Sequence, residues 1–441
     1  MRRIVDRLQF DKPLAYAMAA RLWQSLSGPI TILFLVRGLT LPEQGIYYSL
    51  VSILSIQMFF ELGLLNILVS QAGHQATQID TPTGHARTQA LIRSSLLWFG
   101  WASLLFAATA LAVGWQIMLG LETSMTWRGP LLAMVIASAV TVAMSPAVSI
   151  LEGFGFREDV YRVRCLQMVV GSVVVWTALS AGLKLWSLAA AASVQAVCSL
   201  YLVSIRYRAF FRRFRLREAS LSSRSADRVD FSWSRDVVPI QWRMALLSAI
   251  YHFATQFFTV IVLEFHSAAE AGRLGLTLSL TSAIQALALA WVQTKFSLVS
   301  IHHGAGDREA AGTLWRRTAI NSSGLLVLGL WAAGVLLYLM PLAHLGLEHR
   351  FITPEQLMIL SIGIAANHLV ALQGYYVTSR GARPLMLASM TGFTSTAIAV
   401  WAGGYGWSTT GVLLGYTVTT ALITLPLHTL AYLRYRALST R

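Results

Sequence analysis

The chain has 441 residues, 56% of them hydrophobic and only 12% charged, where a soluble chain carries about 25% charged residues. That leaves too little polar surface to keep a folded body in water, so soluble, fibrous and disordered classes are excluded. Two cysteines, Cys165 and Cys198, both inside apolar runs, offer neither a disulfide framework nor a zinc site, and the net charge of +15 needs a source other than a nucleic-acid-binding face.

Taken in chain order, residues 1–14 hold Arg2, Arg3, Arg7 and Lys12. The small residues that follow at 15–20 have no apolar core before them, so no cleaved leader is expected. About 20 apolar residues cross a bilayer core as a helix, and runs of that kind recur at 14–37, 45–70, 91–119, 130–151, 165–182, 185–205, 238–264, 272–300, 318–342, 353–378, 384–403 and 408–433. Their continuity excludes a β-barrel of short alternating strands. The expectation is an all-α polytopic membrane protein with about 12 transmembrane helices. Gly28-Pro29 and Ser145-Pro146 should bend the first and fourth helices. Residues 206–237 form the longest hydrophilic connection, opening on Arg206-Tyr-Arg208-Ala-Phe-Phe-Arg212-Arg213-Phe-Arg215, a stretch suited to an anionic membrane surface. It divides the chain into a six-helix lobe (1–205), a basic linker (206–237) and a second six-helix lobe (238–441).

With both termini placed in the cytoplasm, 26 Lys and Arg fall on the inside, five fall outside and three lie within spans. The positive-inside bias therefore supports a multi-pass membrane protein with both termini in the cytoplasm. It also accounts for the net charge without nucleic acid.

The halves repeat one another. Leu41-Pro-Glu43-Gln-Gly45 after the first helix is echoed by Ala268-Ala-Glu270-Ala-Gly272 after the seventh, at an offset of 227 residues. Val69-Ser70 with His74 is echoed by Val299-Ser300 with His302 or His303, and Leu151-Glu152-Gly153-Phe154 by Leu372-Gln373-Gly374-Tyr375. Six helices per half bring both copies into the bilayer in the same orientation. Such parallel repeats place a transport site between lobes that rock against each other. Outside loops of about five to ten residues are too short to hold the acid–base groups of a membrane glycosyltransferase, polymerase or ligase, so no enzyme is expected.

The segment Val36-Arg-Gly-Leu-Thr-Leu-Pro-Glu-Gln-Gly-Ile-Tyr-Tyr48, the Glu61-Leu-Gly-Leu64 stretch and the Ala269-Glu-Ala-Gly272 echo resemble the bacterial polysaccharide and O-antigen flippases. Those belong to the multidrug/oligosaccharidyl-lipid/polysaccharide exporter superfamily. The resemblance implies translocation of an undecaprenyl-pyrophosphate-linked oligosaccharide by alternating access, for O-antigen or exopolysaccharide assembly. It implies no catalytic residues and no cofactor beyond coupling to H+ or Na+. Membrane lipids and a polysaccharide polymerase with its synthesis proteins are the implied partners. A cation-coupled multidrug exporter of the same superfamily is the alternative, and a non-transporting scaffold of a polysaccharide synthesis complex is a third reading.

Charges inside spans mark candidate sites, because each costs about 2.5–3.5 kcal/mol on insertion scales. Arg21, Arg243 and Lys295 are candidate pyrophosphate-binding groups facing one shared cavity, since a guanidinium fork matches phosphate bidentately. The plainer role for the arginines is snorkelling to headgroups. Glu61, the one carboxylate well inside a span, is either an ion-coupling site or the structural partner of Arg21 or Lys295. Gln24, Gln57, Trp242, Tyr251, Trp291, Gln293 and Asn367 supply the amide and aromatic groups that hold sugars, although aromatics also populate membrane interfaces. His302-His303 lacks a third ligand, so no metal is expected.

Overall fold

The computed structural model describes residues 12–61, 64–76, 81–120, 126–216, 238–304, 307–340, 348–378 and 385–438, and all regular structure among them is helical. In the first half these are α1 (Lys12–Gly38), α2 (Leu41–Leu54), α3 (Gln57–Glu61), α4 (Leu64–Ala76), α5 (Pro82–Leu119), α6 (Arg128–Gly153), α7 (Arg157–Ser180) and α8 (Trp186–Leu200). A π turn, Tyr201–Arg206, prolongs α8 and leads to the short α9 (Arg208–Leu216). The second half holds α10 (Val238–Thr255), α11 (Phe258–Phe265), α12 (Ala268–Gly304), α13 (Arg308–Leu339), α14 (Pro354–Thr378), α15 (Met386–Thr419) and α16 (Leu425–Leu438). A second π turn, Thr420–Thr424, joins α15 to α16. The last helical run of each half thus carries a π turn, a distortion that recurs at functional places in helices.

Local chemistry starts these helices where it should. Thr81 caps α5 by accepting the Gly84 amide at 3.0 Å, with Pro82 in the first turn. Asp307 caps α13 through the Ala310 amide. Thr353 and Gln356 form a reciprocal capping box ahead of α14, at 3.1 and 3.3 Å. Apolar side chains then face both ways. On α5, Phe99 and Phe106 are fully buried while Trp101 is 71% and Leu104 63% exposed, which suits a surface solvated by hydrocarbon. Among the described residues eight helices are long and apolar enough to cross a membrane, and the chain is a multi-pass membrane protein.

Two of the other expected spans are broken helices. Residues 45–70 divide into α2, α3 and α4, and 238–264 into α10 and α11. The expected turn between 403 and 408 is a backbone break inside α15, at Trp407 (φ −137°, ψ 28°) and Ser408 (φ 57°, ψ −148°). Ser408 holds a positive φ that L-residues rarely adopt, fixed where its hydroxyl and that of Thr409 donate to the Glu270 carboxylate.

The chain packs as two compact units. One joins Met1–Ser27 to Ile53–Ser248, the other Gly28–Ser52 to Ala249–Arg441. Lobes of 1–205 and 238–441 do not describe this division, because Gly28–Ser52 packs with the C-terminal half. Of the expected linker, 206–216 is helical or π-helical and 217–237 lies outside the described residues. Ser49 Oγ donates to the Thr259 carbonyl at 3.3 Å, and the Ser52 and Thr259 hydroxyls bond at 2.9 Å.

The closest contact of that segment is between the two repeat copies. A Cβ on Gly45 would strike the Ala268 carbonyl and lie 3.0 Å from the Gly272 nitrogen; one on Gly272 would strike the Leu41 carbonyl and lie 3.0 Å from the Gly45 nitrogen. Leu41 and Ala268 are themselves 227 residues apart, so the contact is reciprocal in the way a two-fold axis requires. The glutamates of the repeat belong to capping boxes: Glu43 accepts the Thr40 amide at 2.8 Å, and Ser267 accepts the Glu270 amide at 3.2 Å.

Candidate functional site

Within the first unit, α6 ends on Glu152 and Gly153, and α7 begins shortly afterwards at Arg157. The tight reversal brings α7 back along α6 and sets three side chains together. Tyr161 Oη donates to Glu152 Oε1 at 3.0 Å, and Arg164 Nη2 lies 3.0 Å from Glu152 Oε2. Glu61, at the end of α3, feels the same guanidinium. Arg164 thus pairs directly with Glu152 and is near enough to Glu61 to interact with it electrostatically. Beside it a cavity of about 140 Å³ is lined by Ser145, Ser149, Gln167 and Gln195 among others. Gln167 spans it, donating to the Gln195 carbonyl at 3.2 Å and the Ser199 hydroxyl at 3.3 Å.

The second unit holds an aromatic–amide cluster built from α10, α12, α14 and α15. Thr255 Oγ1 donates to the Tyr251 carbonyl at 2.8 Å, the Tyr251 hydroxyl lies near Asn367, and the Tyr251 ring meets Phe393 edge-on at 4.9 Å. Tyr375, close enough to interact electrostatically with Tyr251, accepts a hydrogen bond from Gln293 Nε2 at 3.1 Å and stacks edge-on against Phe296 at 5.8 Å. The other amide atom, Gln293 Oε1, is buried with no hydrogen-bond partner among the described residues, which is costly unless something else supplies a donor. Trp291 is 46% exposed, and half-buried Lys295 follows it one turn later on the same face of α12.

The expected site residues divide between the units. Gln24, exposed, and Gln57, half-buried, accompany Glu61 in the first; Tyr251, Trp291, Gln293, Lys295 and Asn367 belong to the second. The side chains of Arg21, Trp242 and Arg243 lie outside those described. Lys295 is in the other unit from Glu61, and among the described residues Glu61 interacts electrostatically with Arg164. Sequence reasoning missed Arg164, Glu152 and Tyr375. Arg164 was assigned to a loop because it interrupts an apolar run, yet the helix starts at Arg157 and carries it two turns inward. Its signal was the nearby Glu152, itself part of the third repeat echo.

No protein-family model matches the chain, and no curated protein is significantly similar to it. Solved structures share its fold over nearly the whole length. A transporter of the MOP superfamily from Pyrococcus furiosus, reported with a binding pocket of reverse polarity that suggests a different function, is 15% identical over 99% of this chain and 98% of its own, with a TM-score of 0.59. A multidrug resistance MATE family transporter of the MOP superfamily in its outward-facing conformation is 15% identical over 99% of both chains, at 0.56. A point mutant of the Vibrio cholerae MATE transporter VcmN is 15% identical over 98% of both, at 0.52. At this identity the likeness is one of fold: an all-helical MATE-like architecture of about 12 helices in two lobes.

Proposed function

We propose that the chain is a secondary transporter that exports an amphipathic substrate by alternating access, coupled to a cation gradient. The observation that carries this reading is the Glu61–Arg164–Glu152 cluster in the first unit. One guanidinium pairs with Glu152 and acts electrostatically on Glu61, in a bundle of membrane-spanning helices where an unbalanced charge is expensive. The surplus acid is a place for H+ or Na+ to bind and leave. The MATE-like fold supports the same reading, since its solved examples include multidrug transporters facing outward and inward. The test is drug efflux from liposomes holding the purified protein under an imposed pH or sodium gradient. Gradient-driven efflux of a cationic amphiphile by the wild type, lost in Glu61→Gln at normal protein abundance, supports it. Efflux indifferent to both gradients overturns it.

A second reading has its own support. The motif around residues 36–64 resembles polysaccharide flippases, and the cluster of Tyr251, Asn367, Gln293 and Tyr375 with exposed Trp291 offers the stacking faces and amides that sugars use. Lys295, with Arg21 and Arg243, would hold the diphosphate of a lipid-linked oligosaccharide. Transbilayer movement of an isoprenyl-diphosphate oligosaccharide in the same liposomes, without drug efflux, would favour this substrate. The reading also predicts that Arg243→Ala abolishes surface polysaccharide at near-normal protein abundance, with Arg243→Lys recovering part of it.

A further inference from the structure

The basic helix α9 is docked firmly, which sequence alone does not convey. Phe210 stacks on Phe154 at 5.3 Å and on Phe156 at 5.7 Å, and Phe214 lies 4.7 Å from the buried His85 ring of α5. At the π turn before it, Tyr207 donates to Asp159 at 2.6 Å and Arg206 pairs with the same carboxylate at 3.3 Å. These contacts seat α9 on α5, α6 and α7 of the first unit and leave a cavity of about 920 Å³ between α9, the π turn, α5 and α6. Its polar lining includes three exposed arginines, Arg93, Arg208 and Arg212. Its walls are apolar, with Ile92, Met144 and Phe211 among them.

Three exposed cations over an apolar slot match one kind of molecule. A phosphate headgroup takes guanidinium forks, and hydrocarbon takes the slot. The volume lies within the range of about 300–1,000 Å³ typical of pockets that enclose a small-molecule ligand. Arg208 and Arg212 are one helical turn apart and both line the cavity, whereas Arg213, about 100° further round α9, does not. We propose that this cavity is a binding site for an anionic diacyl phospholipid, whose phosphate is held by Arg93, Arg208 and Arg212 and whose acyl chain lies along Ile92, Met144 and Phe211. The site lies wholly within the first unit and does not depend on which substrate the protein transports.

The test is native mass spectrometry of the purified full-length protein titrated with phosphatidylglycerol or phosphatidylcholine of the same acyl chains. The wild type is expected to bind phosphatidylglycerol at least tenfold more tightly. Arg208→Ala/Arg212→Ala should remove that preference, while Arg213→Ala, which also deletes a charge from α9, changes it less than twofold. Phe211→Ala should weaken binding of both lipids. Melting temperatures near wild type establish that the variants remain folded, and single Arg212→Gln serves if the double variant does not. Equal affinity for the two lipids, or an equal loss from Arg213→Ala and Arg212→Gln, overturns the proposal in favour of general attraction to basic surface. Tighter binding of an isoprenyl diphosphate than of phosphatidylglycerol overturns it too, and assigns the pocket to a lipid-linked substrate.

Discussion

Arg164 is the residue on which the interior chemistry of the first unit turns. It neutralises Glu152 by direct contact and acts on Glu61, so its removal strands two acids. Its side chain is 42% exposed, which screens the loss, and Arg164→Met is expected to cost about 1–2 kcal/mol, read as a lower melting temperature in detergent. Adding Glu152→Gln to Arg164→Met should restore much of that stability, since an uncharged partner no longer needs a cation. Tyr207 offers a pH-dependent check. Burial, and then its hydrogen bond to Asp159, push the hydroxyl up to about 12 from the ordinary value of 10.0. Below pH 10 the phenol is protonated folded and unfolded alike, so its stabilisation is complete. It falls away as pH rises from 10 through 12. Tyr207→Phe should therefore destabilise the protein at pH 8 and make little difference above pH 12, measured by chemical denaturation. None of this was readable beforehand: hydropathy identified Glu61 as a buried acid, but only the path of α7 shows which cation reaches it.

At the scale of elements, the sequence was most informative where local rules act. Thr40-Leu-Pro-Glu43 and Ser267-Ala-Ala-Glu270 have capping-box spacing, and both open helices. The long apolar runs correspond to α5 to α8 and α12 to α15, although α5, α7 and α13 begin eight to ten residues before the runs at 91, 165 and 318. Charges misplaced some boundaries: Arg162 and Arg164 concealed the first two turns of α7, which begin at Arg157 with Glu158 and Asp159 favourably placed at the positive helix end. The break at 407–408 was legible as the gap between two apolar runs, but the conformation of Ser408 depends on a carboxylate 138 residues away, which only the structure shows. Glycines give the cleanest test at this scale. Gly45→Ala and Gly272→Ala should each cost about 1–3 kcal/mol by forcing backbones apart. Gly324→Ala, where a methyl meets nothing within 4 Å, should be neutral or stabilising by up to about 1 kcal/mol. Melting curves of the three variants decide it; equal shifts would refute the close helix approach.

For the whole molecule, sequence reading gave the class and the helical count but did not reveal that Gly28–Ser52 packs in one unit with the C-terminal half. Hydropathy cannot tell which bundle a helix joins, because every apolar face is equally content in lipid; only Gly45 and its 227-residue echo hinted at the partner. The chain changes unit at Ser27/Gly28, Ser52/Ile53 and Ser248/Ala249, the first of these beside Pro29 within α1. Sidedness is an expectation from the 26 inside and five outside basic residues. Cysteines introduced near Arg213 and Arg308 should label only from the cytoplasm, and those near Glu270 and Gly404 only from the opposite side. Reversal at any two positions would discard the topology.

The reciprocity of Gly45 and Gly272 reaches beyond packing, to how substitutions there combine. A Cβ added to either glycine would lie 3.0 Å from the other's backbone nitrogen, so one gap serves both. A methyl at either position must pry the two helices open, and a methyl at the other then enters space already made. The two costs should fall well short of adding. A lineage that lost one glycine would find the second nearly free to lose, so these positions, far apart in sequence, form a single unit of inheritance.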